Sequence, residues 1–527
     1  MEFFLVIGII TGVVWLALVL RWGGLLAGCL LVLLAGCCFG HPFFRIQTGM
    51  VPITIDRVLW GILLAYWLWQ RGLRSRGSRS WDWTDRLLIG FVVFIALSVG
   101  YYRLIDPAAR PVVGAPEPLS QLLFFWLMPL GIYLVARDVK LDPTSGGWLL
   151  GAMIAFGLYL SLTAVAEVFA AKTLVFPRYI MESEYTEFLG RARGPLLNPI
   201  GSGLLSGLGM VAALILGLRQ WPRLRWGALL AAATIGIGNV LTLTRSVWLS
   251  TAVNTLAIFG WALPRRWRWP AVTFLLALTI VGGWFYRERL VRLKRDRDLT
   301  AGAAEDSIAL RPLLAASAWL IFKDHPLLGC GFGRYDHVKT PYLADRSHGL
   351  PLERTKGLTQ HNLFLRFLAE LGLVGSLLWL AVLVGWLKRT IDQLRYRQPS
   401  WVQQIALLQG AAAVSYLVNG LFHDVALIPM LNMVVFFFAG LRLPGPHEPP
   451  SQPAEQHAHK SAAKNSLAQR SHTAELLAAE VGSHNASPQL RPLSELPAAK
   501  VGCLNLPAPA VTDAELLARE VRSGKSG

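Results

Sequence analysis

The feature that most constrains this fold is a succession of apolar runs, each near the length of helix that crosses a bilayer. A hydrocarbon core about 30 Å thick takes about 20 residues of helix. Runs of that order fall roughly at 3–20, 22–40, 52–70, 86–102, 119–136, 147–170, 199–218, 227–243, 247–263, 271–286, 363–387, 403–422 and 425–441. In lipid every backbone N–H and C=O must be satisfied internally, so such runs form helices. The sequence therefore predicts an all-α, polytopic membrane protein with 12 to 13 spans, the first two short runs being able to close into one irregular hairpin. Composition agrees: of 527 residues, 54% are hydrophobic and 16% charged, against about 25% charged in a soluble domain. A soluble enzyme, a disordered chain and a nucleic-acid-binding domain are all excluded.

The formal net charge of +18 is explained by its distribution. Lys and Arg gather in short clusters between apolar runs: Arg71, Arg74, Arg76 and Arg79; Arg137 and Lys140; Arg219, Arg223 and Arg225; Arg265, Arg266 and Arg268; Lys388, Arg389, Arg395 and Arg397. Each cluster follows every second span, so the positive-inside bias puts all of them, and the C-terminus, on the cytoplasmic side. The first apolar run lacks a basic start and a small-residue cleavage site, and reads as an anchor. The five cysteines (Cys29, Cys37, Cys38, Cys330 and Cys503) form no C-x-x-C, and three lie in apolar runs. Neither a zinc site nor a disulfide framework is supported, and no metal or cofactor is expected.

The division implied is a membrane domain over 1–442 and a tail over 443–527. Two outer loops, about 171–198 and 287–360, are too long to be simple connectors. The second contains 13 Lys and Arg against nine Asp and Glu, an excess that suggests an anionic ligand. Within it, Ile308 to Phe322 is apolar enough for a helix at the membrane surface, with Arg311-Pro312 near its N-terminus. After Leu443 the chain turns to Pro, Ala, Ser, His and Gln, the composition of a disordered cytoplasmic tail. An imperfect repeat there, Ala474 to Val481 and Ala514 to Val521, is compatible with two short helices.

The chemistry-bearing residues converge on the outer face. His361 stands where the large loop enters a membrane helix; an imidazole there stays neutral near pH 7 and can accept a proton, although a His at that place also suits a helix cap. Arg193 (with Arg191), Arg245 and Arg311 fall on the same face. A guanidinium near bilayer depth costs about 2.5–3.5 kcal/mol on insertion scales and marks a partner or a ligand; its fork matches phosphate oxygens. Gly329-Cys-Gly331-Phe-Gly333 follows no strand and precedes no Lys-Ser/Thr, so it reads as a tight backbone turn and not a nucleotide loop.

Over about 190–440 the chain resembles the O-antigen ligase and O-antigen polymerase superfamily. The resemblance rests on Arg193-Gly-Pro with Asn198-Pro199, Thr244-Arg245-Ser246, Arg311 before an apolar loop helix, Pro326-Leu-Leu-Gly-Cys-Gly-Phe-Gly333, His361-Asn362 followed by Glu370-Leu-Gly-Leu-Val-Gly375, and His423-Asp424. It implies metal-independent glycosyl transfer at the periplasmic face of the bacterial inner membrane. The donor would be a glycan on undecaprenyl pyrophosphate, and the acceptor a lipid or polysaccharide hydroxyl, that of lipid A–core in ligases. Carried over, Arg245 and Arg311 bind the pyrophosphate and His361 acts as base, while Arg191, Arg193, Asn362 and His423 are further substrate contacts. The tail and the highly charged stretch 287–307 depart from the family pattern. A polysaccharide polymerase and a protein O-oligosaccharyltransferase differ from the ligase only in acceptor. A transporter related to inorganic carbon uptake is disfavoured, since no matched pair of broken helices and no buried acidic ion site is evident.

Overall fold

The computed structural model describes residues 2–444 apart from 41, 47–51, 74–80, 106–116, 183, 186, 220–221, 286–300, 345–348, 359 and 397. Residues 1–449 form one compact unit and 450–527 another; the tail, its repeat and the stretch 287–300 lie outside the described residues. The helices, in chain order, are α1 (Glu2–Cys38), α2 (Ile55–Leu73), α3 (Trp83–Ile105), α4 (Pro118–Leu122), α5 (Met128–Arg137), α6 (Pro143–Val168), α7 (Pro199–Arg219), α8 (Pro222–Leu241), α9 (Arg245–Ala262), α10 (Arg265–Phe285), α11 (Ala301–Asp324), α12 (Tyr335–Ala344), α13 (Leu363–Arg395), α14 (Ser400–Gly420) and α15 (Pro429–Gly440). Among the described residues extended pairing is confined to one antiparallel bridge, Ile46 with Ile53.

Eight helices among the described residues are long and apolar enough to cross a membrane, over Ala17–Cys38, Trp83–Ile105, Pro118–Arg137, Pro143–Val168, Pro199–Leu218, Leu224–Leu241, Leu363–Arg395 and Ser400–Gly420. The polytopic class stands, but the expected 12 to 13 spans exceed this number. The run at 425–441 shows why. It yields a helix, α15, of only 12 residues, roughly 18 Å at 1.5 Å per residue. Met430 through Phe438 are all buried, so α15 is walled by protein and needs no bilayer-matched length. The runs at 3–20 and 22–40 are joined as α1, whose backbone leaves helical geometry at Gly24. The loop helix also differs: α11 starts at Ala301, so Pro312 lies inside the helix and not at its start.

At the centre, Phe91 of α3, Trp126, Phe367, Trp379 and Trp386 of α13, and Phe436 of α15 are buried against one another. The Trp379 ring centroid lies 5.0 Å from Phe91, 5.3 Å from Trp126 and 5.7 Å from Trp386, mostly edge-on or tilted, as aromatic quadrupoles prefer. Trp126 sits in a π-helical turn, Leu123–Leu127, between α4 and α5. The cause is local. Pro129 has no N–H to give the Phe125 carbonyl four residues back, and Asn432 Nδ2 of α15 donates to that oxygen instead, at 3.1 Å.

Beyond the aromatic rings, toward the C-terminal end of α13, lies a cluster of charge. Asp85 is fully buried and pairs with Arg137 (3.2 Å), Arg389 (3.3 Å) and Arg442, and it accepts from the Tyr133 hydroxyl. Asp82 pairs with Arg389 at 2.5 Å and Arg442 at 2.7 Å. Burial opposes the charge on Asp82, but the Arg389 and Arg442 guanidiniums and the Asp85 N–H hold its carboxyl down at about 2. Arg137 and Arg389, which mark orientation in the sequence, are therefore also ties between α3, α5 and α13.

Candidate active site

Opposite that cluster, at the N-terminal end of α13, the chain brings His361 beside Arg311. Gln360 does the positioning: its buried side chain donates from Nε2 to Leu314 O of α11 at 3.0 Å, one turn after Arg311. Asn362 then starts α13. Its Oδ1 accepts from Leu365 N at 3.0 Å, an N-cap, which satisfies one of the helix's orphan donors. Its Nδ2 donates to Leu421 O at 2.7 Å, beyond the end of α14. Both ends of the Asn362 amide are thus used by protein, which makes it a structural clasp where the sequence suggests a substrate contact. The cap anticipated at this helix is Asn362, leaving the adjacent His361 ring exposed. Crowding by the surrounding protein and the Arg311 guanidinium press its imidazole below the usual histidine value, while Asp424 pulls the other way.

Asp424 belongs to a buried network centred on Arg366. Arg366, buried one turn into α13, donates from Nε to Glu370 Oε2 at 3.1 Å, from Nη1 to Asp424 Oδ2 at 2.6 Å and from Nη2 to Gln121 Oε1 at 2.5 Å. Two carboxylates face one guanidinium here. Taking such charges out of water is tolerated only with close pairing. Asp424 Oδ1 stays without a hydrogen-bond partner among the described residues, and its charge is felt by His361. The signal available in the sequence was the i, i+4 spacing of Arg366 and Glu370; the long-range partners Gln121 and Asp424 had none. His423, next to Asp424, returns its backbone N–H to Asn419 O at 2.9 Å.

The glycine-rich stretch forms the backbone turn its composition predicts, and its role is to grip α13. Cys330 N and Gly331 N donate to Ala369 O (2.9 Å) and Glu370 O (3.0 Å), and Leu373 N and Val374 N donate back to Pro326 O (2.9 Å) and Leu327 O (3.2 Å). This exchange occurs because α13 breaks at Gly372, with φ 62° and ψ −161°, freeing backbone groups that the loop satisfies. Gly329, at φ +73°, comes so close to Glu370 and Leu371 that a side chain on it would overlap their backbone.

Arg245 opens α9 after the N-cap position Thr244. Its end of α9 is fastened to the same region: Asn419 Nδ2 donates to Ser250 Oγ at 3.0 Å, two residues before the Leu421 that holds Asn362. Arg191 and Arg193 are placed differently from the phosphate role expected of them. Arg191 is buried, donating to Thr242 O at 3.1 Å and Thr244 Oγ1 at 2.5 Å. It shapes the turn that presents Arg245. Arg193 is buried and ion-paired with Glu167 of α6 at 3.0 Å. It also donates to the carbonyls of Tyr185 (2.7 Å), Glu187 (2.9 Å) and Ile180 (2.6 Å). These bonds tie the loop after α6 together. Arg193→Ala should lower stability by about 3–5 kcal/mol, because it strands the buried Glu167 charge. A thermal unfolding midpoint equal to that of the unaltered protein would refute that tie.

The fold and this site define a polytopic helical membrane protein with an exposed His beside an Arg at one end of its bundle. The profile of the family described as O-antigen ligase matches residues 228–380, and the chain is O-antigen ligase-like over that region. The matched region contains Arg245, Arg311, His361, Arg366, Glu370 and both halves of the glycine clasp. No curated protein matches the chain.

Proposed function

We propose that this protein is a glycosyltransferase of the O-antigen ligase type, moving a glycan from an undecaprenyl-pyrophosphate donor to an acceptor hydroxyl at the periplasmic face of the inner membrane. The observation that carries the reading is that the exposed His361 ring, at the start of α13, lies within electrostatic reach of both the Arg311 guanidinium and the Asp424 carboxylate. His361 takes the proton of the acceptor hydroxyl as its oxygen bonds to the anomeric carbon of the donor sugar. The bond from that carbon to the pyrophosphate oxygen breaks, and the leaving negative charge is met by Arg311 and Arg245. Arg311 has a double effect. Before donor binding it keeps the imidazole neutral; once a phosphate offsets its charge, the imidazole becomes more basic, as a proton acceptor requires. Arg191 and Arg193 act in this scheme as positioning residues for the loops carrying Arg245 and Asn198. In membrane-lipid terms, donor and product stay on one face, in keeping with the positive-inside placement of the basic clusters opposite.

A strain lacking the protein should accumulate lipid-linked glycan and lose the surface-attached form. Complementation with Arg311→Ala or Arg245→Ala should leave that defect in place while the protein accumulates in membranes. Lys at either position should restore activity only in part, because a point charge lacks the bidentate fork. Full complementation by both Ala variants would remove the arginines from the mechanism.

A further inference from the structure

Two residues one turn apart on α12 reach the segment that ends at His361. Tyr335 opens α12 and donates from its backbone N–H to Glu370 Oε1 of α13 at 3.3 Å. Its hydroxyl oxygen accepts from Gln360 Nε2 at 3.5 Å, the residue before His361. Lys339 follows on the same side of the helix. Its side chain is 3% exposed, and Nζ donates to Leu358 O at 2.6 Å, Asp336 Oδ1 at 3.3 Å and Thr355 O at 3.4 Å. An ammonium has three hydrogens, so this one is fully used. Thr355 is buried too, and its carbonyl also takes the Leu358 N–H at 3.1 Å. Burying a charge is costly, and an apolar residue of similar size often stabilises as well as a buried ion pair. Only one of the three acceptors is a carboxylate, and it belongs to α12 itself. The other two are backbone carbonyls of the segment leading to His361. What the ammonium adds over an apolar side chain is direction: it fixes where residues 355–358 run.

We propose that Lys339 is a positioning residue for the transfer reaction: by holding Thr355 and Leu358 it sets the path of the chain into Gln360, and so keeps the His361 imidazole beside the Arg311 guanidinium. The inference rests on the assignment of His361 as base. The charges felt by that imidazole come from Arg311 of α11 and from Asp424, after α14; Lys339 acts on it through the backbone.

Lys339→Met keeps the length of the side chain and removes its donors. In the full-length protein kcat for glycan transfer should fall by about 10–10²-fold, the cost of misplacing a catalytic group by about an ångström, while KM for the lipid-linked donor stays within about twofold. A second readout needs no transfer. The rate at which diethyl pyrocarbonate modifies His361, followed across pH by mass spectrometry of its peptide, reports the titration of that imidazole alone. Its midpoint should lie below about 6.5 in the unaltered protein and rise toward that value in Lys339→Met. Crowding and Arg311 together press the imidazole down, and both act less on a released ring. Lys339→Gln, which keeps a polar head in the buried position, should move the midpoint the same way by less, and decides the matter if the methionine form does not accumulate. An unmoved midpoint in the variant that accumulates would overturn the inference, as would a raised KM with kcat unchanged. Activity retained in His361→Gln would instead remove the base assignment, a result distinct from either.

Discussion

Replacing His361 with glutamine is expected to cut glycan transfer by about 10²–10⁴-fold, the usual contribution of a general base. Glutamine keeps a polar side chain but accepts no proton at neutral pH. His361→Ala should be as inactive, and both variants should fold, because the cap of α13 is made by Asn362. The pH dependence follows from the direction of the shift. Crowding and Arg311 lower the imidazole's pKa, so the neutral, accepting form persists below the ordinary value of about 6.5. Activity should therefore hold through neutral pH and fall only at more acid values. Asp424→Asn removes the one opposing pull and should move that acid limb lower still. Transfer per unit of folded protein, measured from about pH 4.5 to 8, checks all three variants. Near-normal turnover in His361→Gln would end the assignment of this residue as base.

The second large effect is structural. Gly372→Ala should destabilise the protein by about 2–5 kcal/mol, combining left-handed strain of about 1–2 kcal/mol with overpacking of about 1–3 kcal/mol. A Cβ there would overlap the Leu327 carbonyl and crowd Gly329 N at 2.6 Å, prising the glycine-rich loop from α13. Gly90→Ala is the control. Gly90 lies inside α3 with nothing within 4 Å of an added Cβ, so the better helix propensity of alanine should leave stability equal or slightly higher. Unfolding midpoints of the two variants compare these cases directly. Equal midpoints would show that the clasp does not depend on the break.

The class of fold was legible because hydrophobic run length reports directly on bilayer crossing, and the glycine spacing announced a turn. Run length could not separate a helix facing lipid from one enclosed by protein, which is why the shortness of α15, 12 residues, was not foreseen. The nearness of His361 to Arg311 was suggested by one long loop that contains Arg311 and ends at His361. The roles of Arg193 and Asn362 were not. A buried guanidinium and a phosphate-binding one look alike in sequence, and the Glu167 that decides the matter lies 26 residues away. Asn362 offered the usual N-cap signature just before an apolar helix, yet its second bond, to Leu421, depends on packing between α13 and the end of α14. Arg366 showed only its i, i+4 spacing to Glu370, and Asp424 only its place beside His423, since ion pairs 58 residues apart leave no periodicity.

The ring stack around Trp379 has an energetic consequence for the proposed reaction. Phe367 follows directly on Arg366, and Trp386 lies three residues before Arg389, so the stack lies between the two charged ends. Its buried Phe and Trp rings carry no carboxylate, imidazole or amine to relay a proton along α13. In the proposed reaction the proton taken up by His361 leaves on the side from which it came, and the energy for the new glycosidic bond comes from the pyrophosphate linkage of the proposed donor.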